Sequence, residues 1–153
     1  IDKDFGLAYA KSQIASQNSL PTKGLAFISL KDRHKNEGVD LAKQLVKLGF
    51  TLCGTEGTAN RIIKNGIKCK KINKVSGGSP HIIDVLNSKK IALVINTGGG
   101  KRAYRIQDST SLRRSTLINK VPYCTNMSTA YAFLEAIKSL KTKKIEVKSL
   151  QEI

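Results

Sequence analysis

The chain has 153 residues, 27 of them basic against 11 acidic, which gives a formal net charge of +16. This length fits one compact domain with a proper core, and no apolar run approaches transmembrane length. Asp2, Lys3 and Asp4 interrupt any early signal-like segment, so a soluble, cytoplasmic domain is expected, with no membrane partner.

In chain order, Phe5, Ala8, Tyr9 and Ile14 recur at helical spacing over residues 4–17, and the run from Asn18 to Thr22 breaks the pattern. Residues 1–22 therefore read as a connecting helix and linker from a preceding domain, and 23–153 as the domain proper. The single methionine, Met127, and the start at Ile1 point to a piece of a longer polypeptide. From Gly24 strands and helices alternate. Residues 25–30 predict a strand. Val39, Leu41, Ala42, Leu45, Val46 and Leu48 form the apolar face of a helix, closed by Gly49 at the C′ position. Residues 50–53 predict a second strand, followed by a helix that ends at Gly66, and residues 68–72 a weaker third. A helix opens at Pro80 and runs to about Ser88. The unbroken apolar run from Ile91 to Ile95 suits a strand buried on both faces. A helix over 111–118, a short strand over 121–124, a last helix over 128–140 and an edge strand over 145–147 complete the pattern. Repeated strand–helix units imply right-handed crossovers and a doubly wound α/β fold, a mainly parallel sheet with helices on both faces.

In such a sheet, ligands bind beyond the carboxyl ends of the strands. The residues just after each strand form a coherent polar set. They are Lys31 and Lys35; Thr55, Gly57 and Thr58 at a helix start; Lys74; Asn96, Thr97, Gly98, Gly99, Gly100, Lys101 and Arg102; and Thr125 with Asn126. Hydroxyls and free amides at helix starts bind phosphate oxygens, lysines add charge, and glycines let the backbone approach a ligand. Five such loops together describe an anion pocket, although Thr58 alone would also serve as a helix cap.

Several chemistries lack their residues. The spacing of a GxxxxGK[ST] phosphate loop is absent, no GxGxxG follows the first strand, and carboxylates near the mouth are few. Cys53, Cys69 and Cys124 have no CxxC spacing and read as reduced thiols, and His34 and His81 show no metal-ligand pattern. Only six of the basic residues are arginine, and the densest basic stretch, residues 61–74, carries no interleaved aromatics. The charge therefore reads as a solvated lysine-rich surface ahead of nucleic-acid binding.

The ordered series Gly54-Thr55-Glu56-Gly57-Thr58-Ala59, Asn73-Lys74-Val75, Gly78-Ser79-Pro80-His81-Ile82-Ile83-Asp84, Val94-Ile95-Asn96-Thr97 and Asp108-Ser109 with Leu112-Arg113-Arg114-Ser115 carries a family resemblance. Together these motifs resemble the methylglyoxal-synthase-like domain that ends the carbamoyl-phosphate synthase large subunit, over about residues 5–150. The resemblance implies a five-stranded parallel sheet of order 3-2-1-4-5 and a regulatory domain binding a nucleotide effector, UMP or IMP. It implies phosphate contacts at Lys35, Thr55, Gly57, Thr58 and Lys74. Val75, Asn96, Thr97, Gly98, Gly99 and Gly100 would lie about the nucleoside, and Tyr123 with Thr125 at a border where some members meet ornithine. No cofactor is implied in this domain. The parent would use ATP with Mg or Mn, and its partners would be the synthetase domains of the same polypeptide and a glutaminase small subunit, in pyrimidine and arginine biosynthesis. The glycine loop after Asn96-Thr97 and Asn126 depart from the family pattern.

Two other readings stay open. One is methylglyoxal synthase itself, whose family places an aspartate after a Gly-Gly pair where this chain has Ser79, and an aspartate- and histidine-rich loop where it has residues 98–102. The other is a basic nucleic-acid-binding module.

Overall fold

The computed structural model describes residues 1–73, 78–79, 81–98 and 103–152, the side chains of 103–108 and 152 excepted. Its elements run α1 (Phe5–Ala15), β1 (Gly24–Ser29), a 3-10 turn (Asp32–His34), α2 (Lys35–Lys47), β2 (Phe50–Gly54) and α3 (Glu56–Lys64). They continue β3 (Lys70–Lys71), α4 (Ile82–Asn87), β4 (Ile91–Asn96), α5 (Ala103–Ile118), β5 (Tyr123–Cys124) and α6 (Met127–Thr142). The strands form one sheet of order β3-β2-β1-β4-β5, and every pairing is parallel. The expected order and fold class are both found.

The two central strands are apolar because both faces are covered. On one face Ala26, Ile28, Leu52, Leu93 and Ile95 pack with Leu41 and Leu45 of α2 and Phe133, Leu134 and Ile137 of α6. On the other, Phe27, Cys53 and Val94 pack with Leu86 of α4 and Leu112 of α5. The register pairs Leu25 with Ile91 but Ala26 with Leu93, so Ala92 is an extra residue in β4. That bulge turns Ile91 to the Phe27 side, although Leu93 faces the other way.

Gly49 takes φ 93° after α2, the left-handed conformation expected at that C′ position. The leading helix α1 lies against α6, with Leu7 and Ala10 buried and the Tyr9 ring centroid 6.1 Å from that of Phe133. Its N-cap, Asp4, accepts from the Leu7 amide at 2.9 Å and from Ser139 Oγ at 2.8 Å, and pairs with Lys143.

The structure alters some predicted boundaries. Residues 145–147 form no strand, and Val147 is fully exposed. The two-residue β5 offers little ladder to extend, and the basic tail is instead drawn to the amino terminus through Lys143–Asp4 and Lys148–Asp2. The third strand shrinks to Lys70–Lys71, both exposed, as suits an unprotected sheet edge. The fifth shrinks to Tyr123–Cys124, and α5 begins at Ala103, well before residue 111. Helix α4 starts at Ile82; Pro80 lies outside the described residues.

Candidate functional site at the strand ends

The sheet order reverses direction between β1 and β4, so the crevice beyond their carboxyl ends is the switch point where a ligand is expected. The register sets Ser29 opposite Asn96 and Ile28 opposite Gly54, which brings three strand ends to one level. Hydroxyl groups then converge across chain segments distant in sequence. Thr55 Oγ1 lies 3.3 Å from Ser29 Oγ and 3.4 Å from Thr58 Oγ1. Thr58 Oγ1 accepts from the Leu30 amide at 3.0 Å, and all of Thr55, Thr58 and Leu30 are buried. Thr58 is thus a tie between α3 and the end of β1. It does not cap its own helix.

Thr55 is the N-cap residue of α3, yet its side chain makes no bond to the helix. The first-turn amides therefore keep their donor capacity at the positive end of the helix dipole. Over this turn stands Lys35: a Cβ added at Gly57 would lie 2.9 Å from Lys35 Nζ. Only a residue without a Cβ lets the ammonium come so close. Lys35 Nζ is held at 2.6 Å from Asp32 Oδ1, a pairing on the open side of the mouth. A cation, an uncapped helix start and two buried threonines thus form one cradle beside the end of β1, an arrangement of the kind that can hold an anion.

The β4 end forms the opposite wall. Asn96 is buried; its Nδ2 donates to the Tyr123 hydroxyl at 3.2 Å, and its Oδ1 accepts from the Gly98 amide at 3.0 Å. The side chain thereby fixes the backbone at Gly98. Thr97 donates its amide to the Ser29 carbonyl at 2.9 Å, and its Oγ1 accepts from the Lys31 amide at 3.1 Å. His34 Nδ1 lies 3.0 Å from the same Thr97 Oγ1. The Arg113 guanidinium stands 6.0 Å from the centroid of the half-buried Tyr123 ring, and Thr125 is exposed just beyond β5.

Of the residues predicted from sequence, Lys35, Thr55, Gly57 and Thr58 meet in one cradle, and Asn96, Thr97 and Gly98 line its neighbouring wall. Tyr123 touches that wall through Asn96, which joins two sets the sequence kept apart. Lys74, Val75, Gly99 and Gly100 lie outside the described residues. The sequence alone does not single out Ser29 and His34 as site residues. Ser29 is the last residue of a strand and not one of the residues that follow it, and an isolated histidine such as His34 carries no spacing signal beyond the absence of a metal-ligand pattern.

Asp84 is occupied elsewhere. Its carboxylate accepts from the His81 amide and from Ser79 Oγ, both at 2.9 Å, and these bonds hold it below the usual carboxylate range. It caps the start of α4. Among the described residues no cluster of three or more potential ligands could hold a metal ion, and no helix is long and apolar enough to cross a membrane. The three cysteines are unpaired, and burial pushes Cys53 and Cys124 up to about 12 and Cys69 to about 11.

Residues 37–125 match the family model of the MGS-like domain. The whole chain is 46% identical over 158 residues to the C-terminal section of the carbamoyl phosphate synthase large chain of Aquifex aeolicus, of which it spans 29%. It is 44% identical over 152 residues to the carbamoyl phosphate synthase large chain of Mesorhizobium japonicum, covering 99% of this chain and 13% of that one. The corresponding C-terminal section from Methanopyrus kandleri is 44% identical, matching all of this chain and 28% of that relative. Methylglyoxal synthase from Elizabethkingia anophelis shares the fold, with a TM-score of 0.55 at 18% identity over 76% of this chain and 80% of that one. The matched family model, the relatives aligned over the whole chain and the shared sheet fold agree: this chain belongs to the MGS-like domain family.

Proposed function

We propose that this chain is the effector-binding section of a carbamoyl phosphate synthase large chain and that a phosphate-bearing mononucleotide, UMP or IMP, occupies the strand-end mouth. The observation that carries this reading is the approach of the Lys35 ammonium to the uncapped first turn of α3 beside Thr55 and Thr58. The phosphate would sit there, within reach of the Thr97 hydroxyl, and the nucleoside along Asn96, Thr97 and Gly98. Lys74, Val75, Gly99 and Gly100 would complete the walls. Tyr123 and Thr125 would form the border toward ornithine.

In this reading the section does no chemistry of its own. It tunes ATP-dependent carbamoyl phosphate synthesis by the synthetase domains, fed by a glutaminase subunit, for the pyrimidine and arginine pathways. A nucleotide regulates only if it binds two states of the parent with different affinity, because equal binding shifts nothing. The similarity over the full chain to C-terminal sections of carbamoyl phosphate synthase supports this parent.

The test is calorimetric and thermal titration with UMP, IMP and uridine. A ligand at a hundredfold excess over its Kd should stabilise the chain by roughly 2.7 kcal/mol. The reading fails if neither mononucleotide produces heat or a shift in melting temperature at low or moderate salt.

A further inference from the structure

The 3-10 turn between β1 and α2 carries a hydrogen-bond relay whose polarity can be worked out from its partners. Arg33 Nε lies 3.1 Å from His34 Nε2 and can only donate. A neutral His34 therefore accepts at Nε2 and carries its proton on Nδ1. That proton points the Nδ1 contact in one direction, as a donor to Thr97 Oγ1 at 3.0 Å. The same oxygen already accepts from the Lys31 amide at 3.1 Å. Both lone pairs of the Thr97 hydroxyl are then filled, and its own proton is left to donate. What such a group requires is an acceptor oxygen.

The bond also has a mechanical consequence. His34 is the residue before Lys35, the first of α2. The Lys31 and His34 contacts to one hydroxyl clamp both ends of the turn to the end of β4. Lys35 leaves this clamp directly, and its ammonium arrives over Gly57. A slack turn would let Lys35 swing toward solvent with its partner Asp32, whose side chain is 96% exposed.

We propose that His34 is the positioning residue of the anion site: as the Nδ1–H tautomer it presents the Thr97 hydroxyl as a donor to a ligand oxygen and holds the turn that aims Lys35. This rests on the mononucleotide reading for the identity of the ligand but not for the presence of an anion site. Inorganic phosphate is accordingly the probe for His34, and UMP the probe for the effector reading.

Long-range proton–nitrogen spectra of the ligand-free chain at about pH 8 read the His34 tautomer directly. The Nδ1–H form is expected; the Nε2–H form overturns the relay. Phosphate is then titrated into wild type, His34→Ala and His34→Asn, following the Gly57 and Thr97 amides. The Asn side chain places an N–H near the position of Nδ1. His34→Ala should weaken phosphate about fivefold, the scale of one hydrogen bond, and His34→Asn should restore most of the loss. Equal losses in both variants, or no phosphate response at Gly57 in wild type, would overturn the proposal. A wild type that answers to phosphate but not to UMP or IMP would leave His34 in place and remove the effector reading.

Discussion

The Lys35 ammonium offers the sharpest test of where the proposed phosphate would sit. Lys35→Met keeps most of the aliphatic stem and removes the charge. A hydrogen bond to a charged group contributes about 1.5–3 kcal/mol, so UMP should bind roughly 10- to 150-fold more weakly. Uridine, which has no phosphate, should be unaffected. Asp32 adds a second arm with the opposite sign. It holds Lys35 Nζ at 2.6 Å, but its own side chain is 96% exposed and that of Lys35 24%. A pair so open to water is worth about 0–1 kcal/mol, which a phosphate must displace or share. Asp32→Asn should therefore tighten UMP by at most about fivefold. Calorimetry of both ligands at two salt concentrations reads all of this, and the Lys35 effect should shrink as salt rises because the site is partly open. Equal losses of UMP and uridine in Lys35→Met, or weaker UMP binding in Asp32→Asn, would refute the assignment.

Other consequences concern the frame of the site. Thr58→Val leaves the buried Leu30 amide without its acceptor, at a cost of about 1–3 kcal/mol. At about 2–4 °C per kcal/mol, melting should fall by roughly 2–12 °C. Hydrogen exchange at Leu30 should quicken in Thr58→Val but not in Thr58→Ser, and unchanged exchange in the valine variant would show that the bond does not hold. Asp2 and Asp4 are both lowered to about 2, Asp2 chiefly by Lys11 and the Asp4 amide, Asp4 by Lys143, the Leu7 amide and Ser139. Because the folded values lie below the ordinary 3.8, their stabilisation is complete above about pH 4 and disappears as pH falls through 2. Urea midpoints measured from pH 6 to 2 should drop at the acid end, and less so in the Asp2→Asn/Asp4→Asn double variant; identical acid limbs would count against the pairing. With all three thiols raised to about 11–12 by burial, a disulfide reagent at neutral pH should react slowly with the native chain and fully after denaturation. Rapid labelling of the native chain would contradict that burial.

What the sequence made legible follows from how local each cause is. The runs at residues 25–28 and 91–95 are apolar at every position because helices cover both faces, so they read as central strands without further information. Lys35, Thr55 and Thr58 are legible because each sits at a strand end or a helix start, a placement that periodicity alone supplies. Residues 145–147 fail for the opposite reason. Alternation suits an edge strand, but a strand also needs a free ladder, and the sequence does not show that β5 spans only two residues. The anchoring of α1 is equally non-local: Asp4 bonds Ser139, 135 positions away. A helix-and-break pattern reads as a connector whether or not such a contact exists.

The same distinction separates the members of the site from their roles. Composition identifies Thr58, Asn96 and Thr97 as polar groups at one mouth, but not which of their atoms remain for a ligand. Thr58 Oγ1 is used by the Leu30 amide, and Asn96 uses one atom on Tyr123 and the other on Gly98. These bonds stiffen the pocket walls, and substituting Thr58 or Asn96 should alter stability along with affinity; Thr58 Oγ1, which accepts from both the Leu30 amide and Thr55, still keeps its own proton. In the reading proposed above, Lys35, the uncapped turn of α3 and the Thr97 proton are the groups left to donate to a ligand. All three are donors, and two of them carry positive charge or dipole. A pocket left with donors favours a ligand rich in acceptor oxygens over a cation, so in the proposed reading the phosphate, more than the base, would anchor the ligand at this end of the fold.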